Sequence, residues 1–259
     1  AHLQRAYNLA LDGQGYRQLA DDVAARRLAG LVFAYTPHRL RSAPLLARPK
    51  LPMVFPGPLT GRETVVRTLN ETVMARALDW LVAQGRRRVA CVTQTGRSPH
   101  ELRDAVGDRP IVSLPAWTQA VDLFHPDEWI RHVLETILCA DPAGPPDALV
   151  VTDDHLVGPT ARALAALGVR VPDDLLVVGH WNFPLRYDGP VPVKRVGFDA
   201  RLWLGVCLRR LEQLRRGEPV PRLTPLTAVL DDEVEPDEIQ VDWPALAEAR
   251  PVEMEESRL

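Results

Sequence analysis

Short apolar runs alternate with longer amphipathic stretches along most of the chain. Residues 18–29 read as a helix, and 31–35 follow as a short apolar strand. Residues 38–48 mix Arg, Leu and Ala and are partly helical in pattern, with Pro44 as an interruption. A second buried strand is predicted over 51–55, with Pro52 near its start, where a missing N–H does least harm. Val73, Ala77, Leu78, Leu81 and Val82 recur at helical spacing and predict an amphipathic helix over 70–84. Thr68, three residues before Glu71, offers a capping box at its start, and Gly85 ends it. Arg86, Arg87 and Arg88 then lead into strand 89–92; the run reads as a solvated helix-to-strand turn rather than a nucleic-acid patch. The pattern loosens over 94–127, where prolines interrupt and a short helix near Glu101, Leu102 and Arg103 stands out. Helix 127–139, a proline-rich turn at 142–146, strand 148–151, helix 156–167, strand 175–178 and helix 199–216 complete the series. Asp199 suits the N-cap of that last helix and Gly217 its stop. Residues 231–259 are acidic and proline-containing, and read as a solvated tail or edge wrap with Trp243 docking on the body.

Such alternation, with strands of Val and Leu, predicts an α/β fold of parallel sheets covered by helices on both faces. On such sheets ligands sit at the carboxyl ends of the strands. A length of 259 residues suits one domain or two lobes sharing crossovers. The net charge of −3 gives this piece no electrostatic reason to hold a polyanion, so DNA contact would come from another part. Cys91, Cys139 and Cys207 show neither CxxC nor zinc spacing and read as reduced, mostly buried thiols of a cytoplasmic protein. The sequence contains no apolar run long enough to predict a membrane span, and its start does not read as a signal peptide. Beginning at Ala1, the chain reads as a fragment; an exported protein with its signal removed would begin the same way.

Two stretches carry a family resemblance. Val66-Arg67-Thr68-Leu69-Asn70 through Gly85-Arg86-Arg87-Arg88-Val89-Ala90 resembles a "V-x-x-D-N, helix, G-H-R-R-I-A" block. Residues 147–182 resemble a longer block, with Val171-Pro172-Asp173-Asp174-Leu175 and Val177-Val178-Gly179 matching "V-P-x-D-h-x-V-V-G". Pro192-Val193-Lys194-Arg195-Val196 resembles "P-L-T-T-V", Leu31-Val32-Phe33 resembles "D-G-h-h-h", and Leu51-Pro52-Met53-Val54 resembles "h-P-h-V". In this order they resemble the lactose/galactose repressor (LacI/GalR) family of transcription regulators, over roughly residues 15–230. The resemblance implies a periplasmic-binding-protein-like type I fold: two Rossmann-like lobes with parallel sheets, joined by three crossovers. One lobe would take 1–68 with 195–220, the other 69–194 with 221–235, leaving 236–259 as an acidic tail. It also implies an effector in the cleft between lobes, a homodimer, and operator DNA held by a headpiece absent from this sequence.

At the family's ligand positions the residues depart from the pattern. Asp153 replaces the Asn of "N-D", the "F-D-D" loop reads His180-Trp181-Asn182, and Phe198 stands where a polar residue often contacts ligand. Arg103 or Arg97 stands in for an arginine after strand 89–92. Ligand-binding candidates are therefore Asp153, Trp181, Asn182, His180, Phe198 and Arg103, with Trp181 either lining the cleft or plugging it. Polar groups thin out while aromatics increase, which widens the expected effector from a sugar-like molecule to a less polar one. The fold's first strand and most of its second are missing from the pattern. Asp153, Asp154 and His155 read as a helix start, with Asp154 as cap and Asp153 facing the cleft, rather than a metal cluster. His125, Glu128 and His132 lack the HExxH order and read as a surface helix face. Trp203 and Leu204 read as dimer contacts or as core. With no nucleophile elbow, Walker or dinucleotide motif, the expectation is a non-enzyme with no cofactor and no metal. A periplasmic sugar-binding protein of the same fold, serving a transporter, is the alternative.

Overall fold

In the computed structural model, residues 14–37, 51–58, 61, 63–97 and 100–234 are described. In chain order the elements are α1 (Gln14–Ala24), β1 (Leu31–Val32), β2 (Met53–Phe55), β3 (Thr64–Thr68), α2 (Glu71–Ala83), β4 (Val89–Gln94) and α3 (Glu101–Val106). Next come β5 (Thr118–Val121), α4 (Pro126–Cys139), β6 (Ala148–Val151), α5 (Asp154–Ala166), β7 (Leu176–Phe183) and β8 (Lys194–Asp199). The series closes with α6 (Ala200–Arg215), β9 (Leu223–Leu226) and β10 (Val229–Leu230).

The strands form two sheets. The smaller has the order β1-β2-β3-β9 and is parallel throughout. The larger has the order β10-β8-β7-β6-β4-β5; it is parallel except for β10, which lies antiparallel against β8. Strand alternation sorts the larger sheet's side chains into two cores. Ala90, Val92, Leu149, Val151 and Val177 pack on one face with Leu134, Ile137 and Leu156 of α4 and α5. Val89, Cys91, Ala148, Val150 and Val178 pack on the other with Met74, Leu78 and Leu81 of α2. With both faces covered, β6 is buried at all four positions, which is why it reads as an unbroken apolar run. In the smaller sheet, Leu31, Phe33 and Phe55 pack with Leu19 and Val23 of α1. Val54 and Val66 pack on the opposite face with Val206, Cys207 and Leu211 of α6.

The chain passes between the sheets three times: from β3 to α2, from β8 to α6, and from β9 to β10. The sequence division switches lobes at 195 and 221; hydrogen bonding puts both switches later. Lys194–Asp199 pairs with β7 and so stays with the larger sheet, while Leu223–Leu226 pairs with β3 in the smaller. Other boundaries also move. Helix α1 starts earlier than expected, and it ends earlier because Arg26 takes a left-handed conformation (φ 56°) and Arg27 turns back to the buried carboxylate of Asp22, Nε–Oδ1 2.7 Å. The expected capping box does not form: Asn70 occupies the N-cap of α2 without a side-chain bond, and Thr68 ends β3. Asp199 caps α6 as expected, its Oδ1 accepting from the Arg201 N–H at 2.8 Å. Expectations for residues 1–13, 38–48 and 236–259, Trp243 included, lie outside the described residues.

Candidate functional site

In the larger sheet the order reverses between β4 and β6: β5 lies to one side of β4, and β6, β7 and β8 lie to the other. At such a reversal the connecting helices leave in opposite directions and open a crevice at the carboxyl ends of the two strands. Thr93 and Thr152 sit there side by side, both buried, with a 2.9 Å bond between their hydroxyls. One residue further, Asp153 adopts extended backbone and caps α5, accepting from the His155 N–H at 3.0 Å. The cap is therefore Asp153 and not Asp154. The partial positive charge at the helix start stabilises a carboxylate at this position.

Around that cap a polar network closes. His155 Nδ1 lies 3.0 Å from both Asp153 Oδ1 and Asp154 Oδ1. Asn182 Nδ2 donates to Asp154 Oδ2 at 2.6 Å. Gln94, with its amide oriented to suit both neighbours, donates to Asp153 Oδ2 at 3.1 Å and accepts from Arg97 Nε at 3.2 Å. Arg97 in turn lies 3.8 Å from Glu101. Burial acts to lower the His155 pKa, but the carboxylates of Asp154 and Asp153 outweigh it and raise the value above 6.5. His180 goes the other way. Its burial dominates the pull of Asp154 and Asp153, so its pKa is lowered from 6.5. His180 Nε2 is buried without a hydrogen-bond partner. It lines a small recess with Asn70, Arg97, Glu101 and Thr152, backed by Met74. The recess, whose wall is mostly apolar, has room for about one water molecule.

The sequence-selected residues divide. Asp153, His180 and Asn182 converge at this end of the sheet. Trp181 has the strand parity of Val177 and packs on the opposite face, its Nε1 donating to the Leu185 carbonyl at 2.6 Å and its ring edge-on to Tyr187 at 5.6 Å. Phe198 is 8% exposed and packs in the core beneath α2, with its ring 6.2 Å from that of His180. Arg103 is exposed on α3 beside Asp104, 3.5 Å away, while Arg97 enters the network. Sequence reasoning missed Gln94, Glu101 and the cluster role of His155; only His155, four residues past the end of apolar β6 and beside Asp153, carried a positional signal. It also missed Phe124, an aromatic ring 75% exposed just beyond the end of β5.

Asp153, Asp154 and His155 bring ligand-type atoms within 4.8 Å of one another. The oxygens nearest His155 already face its Nδ1, and the Oδ2 atoms meet Gln94 and Asn182, so the contacts describe an ion-pair network. Burial pushes the Cys207 thiol up to about 12 and raises Cys91 as well, which makes both poor nucleophiles.

Residues 78–222, more than half of the chain, match the periplasmic binding protein-like domain. The chain belongs to that family. No match was found among curated protein sequences. Solved structures share the fold of this periplasmic binding protein-like domain. A regulatory protein of the LacI family from Chloroflexus aggregans is 18% identical at a TM-score of 0.66, covering 86% of this chain and 82% of that one. A LacI family transcriptional regulator from Mycobacterium smegmatis is 20% identical at 0.57, covering 89% and 86%. A LacI regulator from Lactobacillus casei with bound Tris is 21% identical at 0.57, covering 83% and 79%. Among the described residues of the domain, no helix is long and apolar enough to cross a membrane.

Proposed function

We propose that this domain is the effector-binding core of a LacI-type transcription regulator and not an enzyme. The observation that carries the reading is the polar network of Gln94, Arg97, Asp153, His155 and Asn182 at the reversal of the larger sheet, in a fold whose two halves are joined by three crossovers. A small molecule held there would meet the second lobe as well as the first. It can then favour one lobe arrangement only through a difference in contacts between arrangements. Through a homodimer, that difference reaches a DNA-binding headpiece. The likeness to regulators of known structure supports this reading.

Trp181 and Phe198 are committed to cores, so they do not make the site apolar. Asp153, Asn182 and Arg97 instead suit a molecule with several hydroxyl or amine groups. A thermal-shift screen of mono- and disaccharides, amino sugars and nucleosides tests the assignment. The expected result is stabilisation of the native protein by at least one of them, weakened tenfold or more in Asp153→Ala. Equal stabilisation of both proteins would place the ligand elsewhere.

A further inference from the structure

Three side chains of α2 lie one turn apart on a single stripe: Thr72, Arg76 and Trp80. Thr72 and Arg76 meet the segment that returns from the smaller sheet, and Trp80 meets Lys194, which holds that segment. The Thr72 hydroxyl donates to the Leu69 carbonyl at 2.6 Å and accepts from the Ala228 N–H at 2.8 Å. Leu69 lies in the first crossover, and Ala228 lies in the third, 156 residues after Thr72. A backbone bond from Leu69 N–H to the Leu226 carbonyl, 2.9 Å, runs beside this bridge. One turn on, Arg76 pairs with Glu233. Another turn on, the Trp80 ring lies 5.5 Å beneath the Lys194 ammonium, which holds Asp231 at 2.6 Å and Asp232 at 3.0 Å.

We propose that Thr72 is a hinge pin: its hydroxyl joins the first and third crossovers into one unit that moves with the larger sheet's lobe. From Ala228 to Glu233 the chain is fastened to that lobe by Thr72, Arg76 and Lys194 and by the β10–β8 pairing. Rotation of the lobes is thereby confined to the backbone of Leu69 and Thr227, between the Leu69–Leu226 bond that closes the β3–β9 ladder and the pin, together with the second crossover after Asp199. A hydroxyl is needed because one atom must donate to Leu69 and accept from Ala228 at once; Val matches Thr in shape and can do neither. Thr72 acts by positioning the crossovers, and the inference rests on the two-lobed fold rather than on any effector.

The test compares wild type, Thr72→Val and Thr72→Ser by hydrogen exchange at the Ala228 amide. Interlobe distance is measured in the same proteins by electron–electron double resonance between a nitroxide on native Cys139 and one on Gln18→Cys. Cys139 is exposed on α4 and Gln18 is exposed on α1, so the labels report on different lobes. In wild type the Ala228 amide should be strongly protected. Thr72→Val should speed its exchange by roughly five- to tenfold, as expected for one lost hydrogen bond, and broaden the distance distribution. Thr72→Ser should restore both. An unprotected Ala228 amide in wild type would overturn the proposal without any variant. So would a Thr72→Val protein with unchanged exchange and distances, or a Thr72→Ser protein that behaves like Thr72→Val.

Discussion

His155 and His180 lie in one cluster, yet their surroundings shift their pKa values in opposite directions. The raised value of His155 gives stability that is present in full below about pH 6.5 and lost as pH rises through its folded value. The lowered value of His180 gives stability present above about 6.5 and lost as pH falls toward its folded value. Imidazole resonances followed by NMR should titrate above 6.5 for His155 and below it for His180. Asp154→Asn should lower the His155 value, since it removes the largest attraction holding the proton there. Identical midpoints near 6.5 would contradict the cluster geometry. Asp153 carries a separate role as the cap of α5. Asp153→Ala should cost about 1 kcal/mol in chemical denaturation, whereas Asp153→Asn should retain the cap and most of that stability.

At the scale of elements, the β7–β8 pairing positions the site, and Gly197 makes the pairing possible. A methyl group on Gly197 would run into the Trp181 carbonyl opposite. Gly197→Ala is therefore expected to destabilise the protein by roughly 1–3 kcal/mol in a urea titration, as the two strands are forced apart. Helices and buried strands of the larger sheet were legible because their periods are clean: β6 is apolar throughout, and Val73, Ala77, Leu78 and Leu81 mark one helix face. Less of the site was legible. Asp153 could be singled out because it follows an apolar strand and precedes a helix. Trp181 and Phe198 were misleading because a family motif fixes a residue's position but not the face its side chain takes, and β7 extends to Phe183 with its alternation intact. Gln94 and Glu101 could not be chosen from spacing, since their contacts with Asp153 and Arg97 depend on how the segment after β4 folds back.

For the molecule as a whole, three crossovers join two mostly parallel sheets, and in the proposed function a small molecule at the reversal of the larger sheet biases one lobe arrangement. The dimer in the proposed function is expected to appear in sedimentation at micromolar concentration. Leu202 and Leu223, half exposed on the smaller lobe, are available as apolar contacts between copies. A strictly monomeric protein would favour solute binding for transport. Coupling to DNA is the most direct test of the central claim. It is read as the fluorescence anisotropy of the full-length protein on an operator selected from random duplexes, titrated with and without the molecule that stabilises wild type. The expected result is an operator affinity that changes at least about fivefold with that molecule, and does not change in Asp153→Ala. A full-length protein that binds no duplex, or one whose affinity the molecule leaves untouched, would contradict the account.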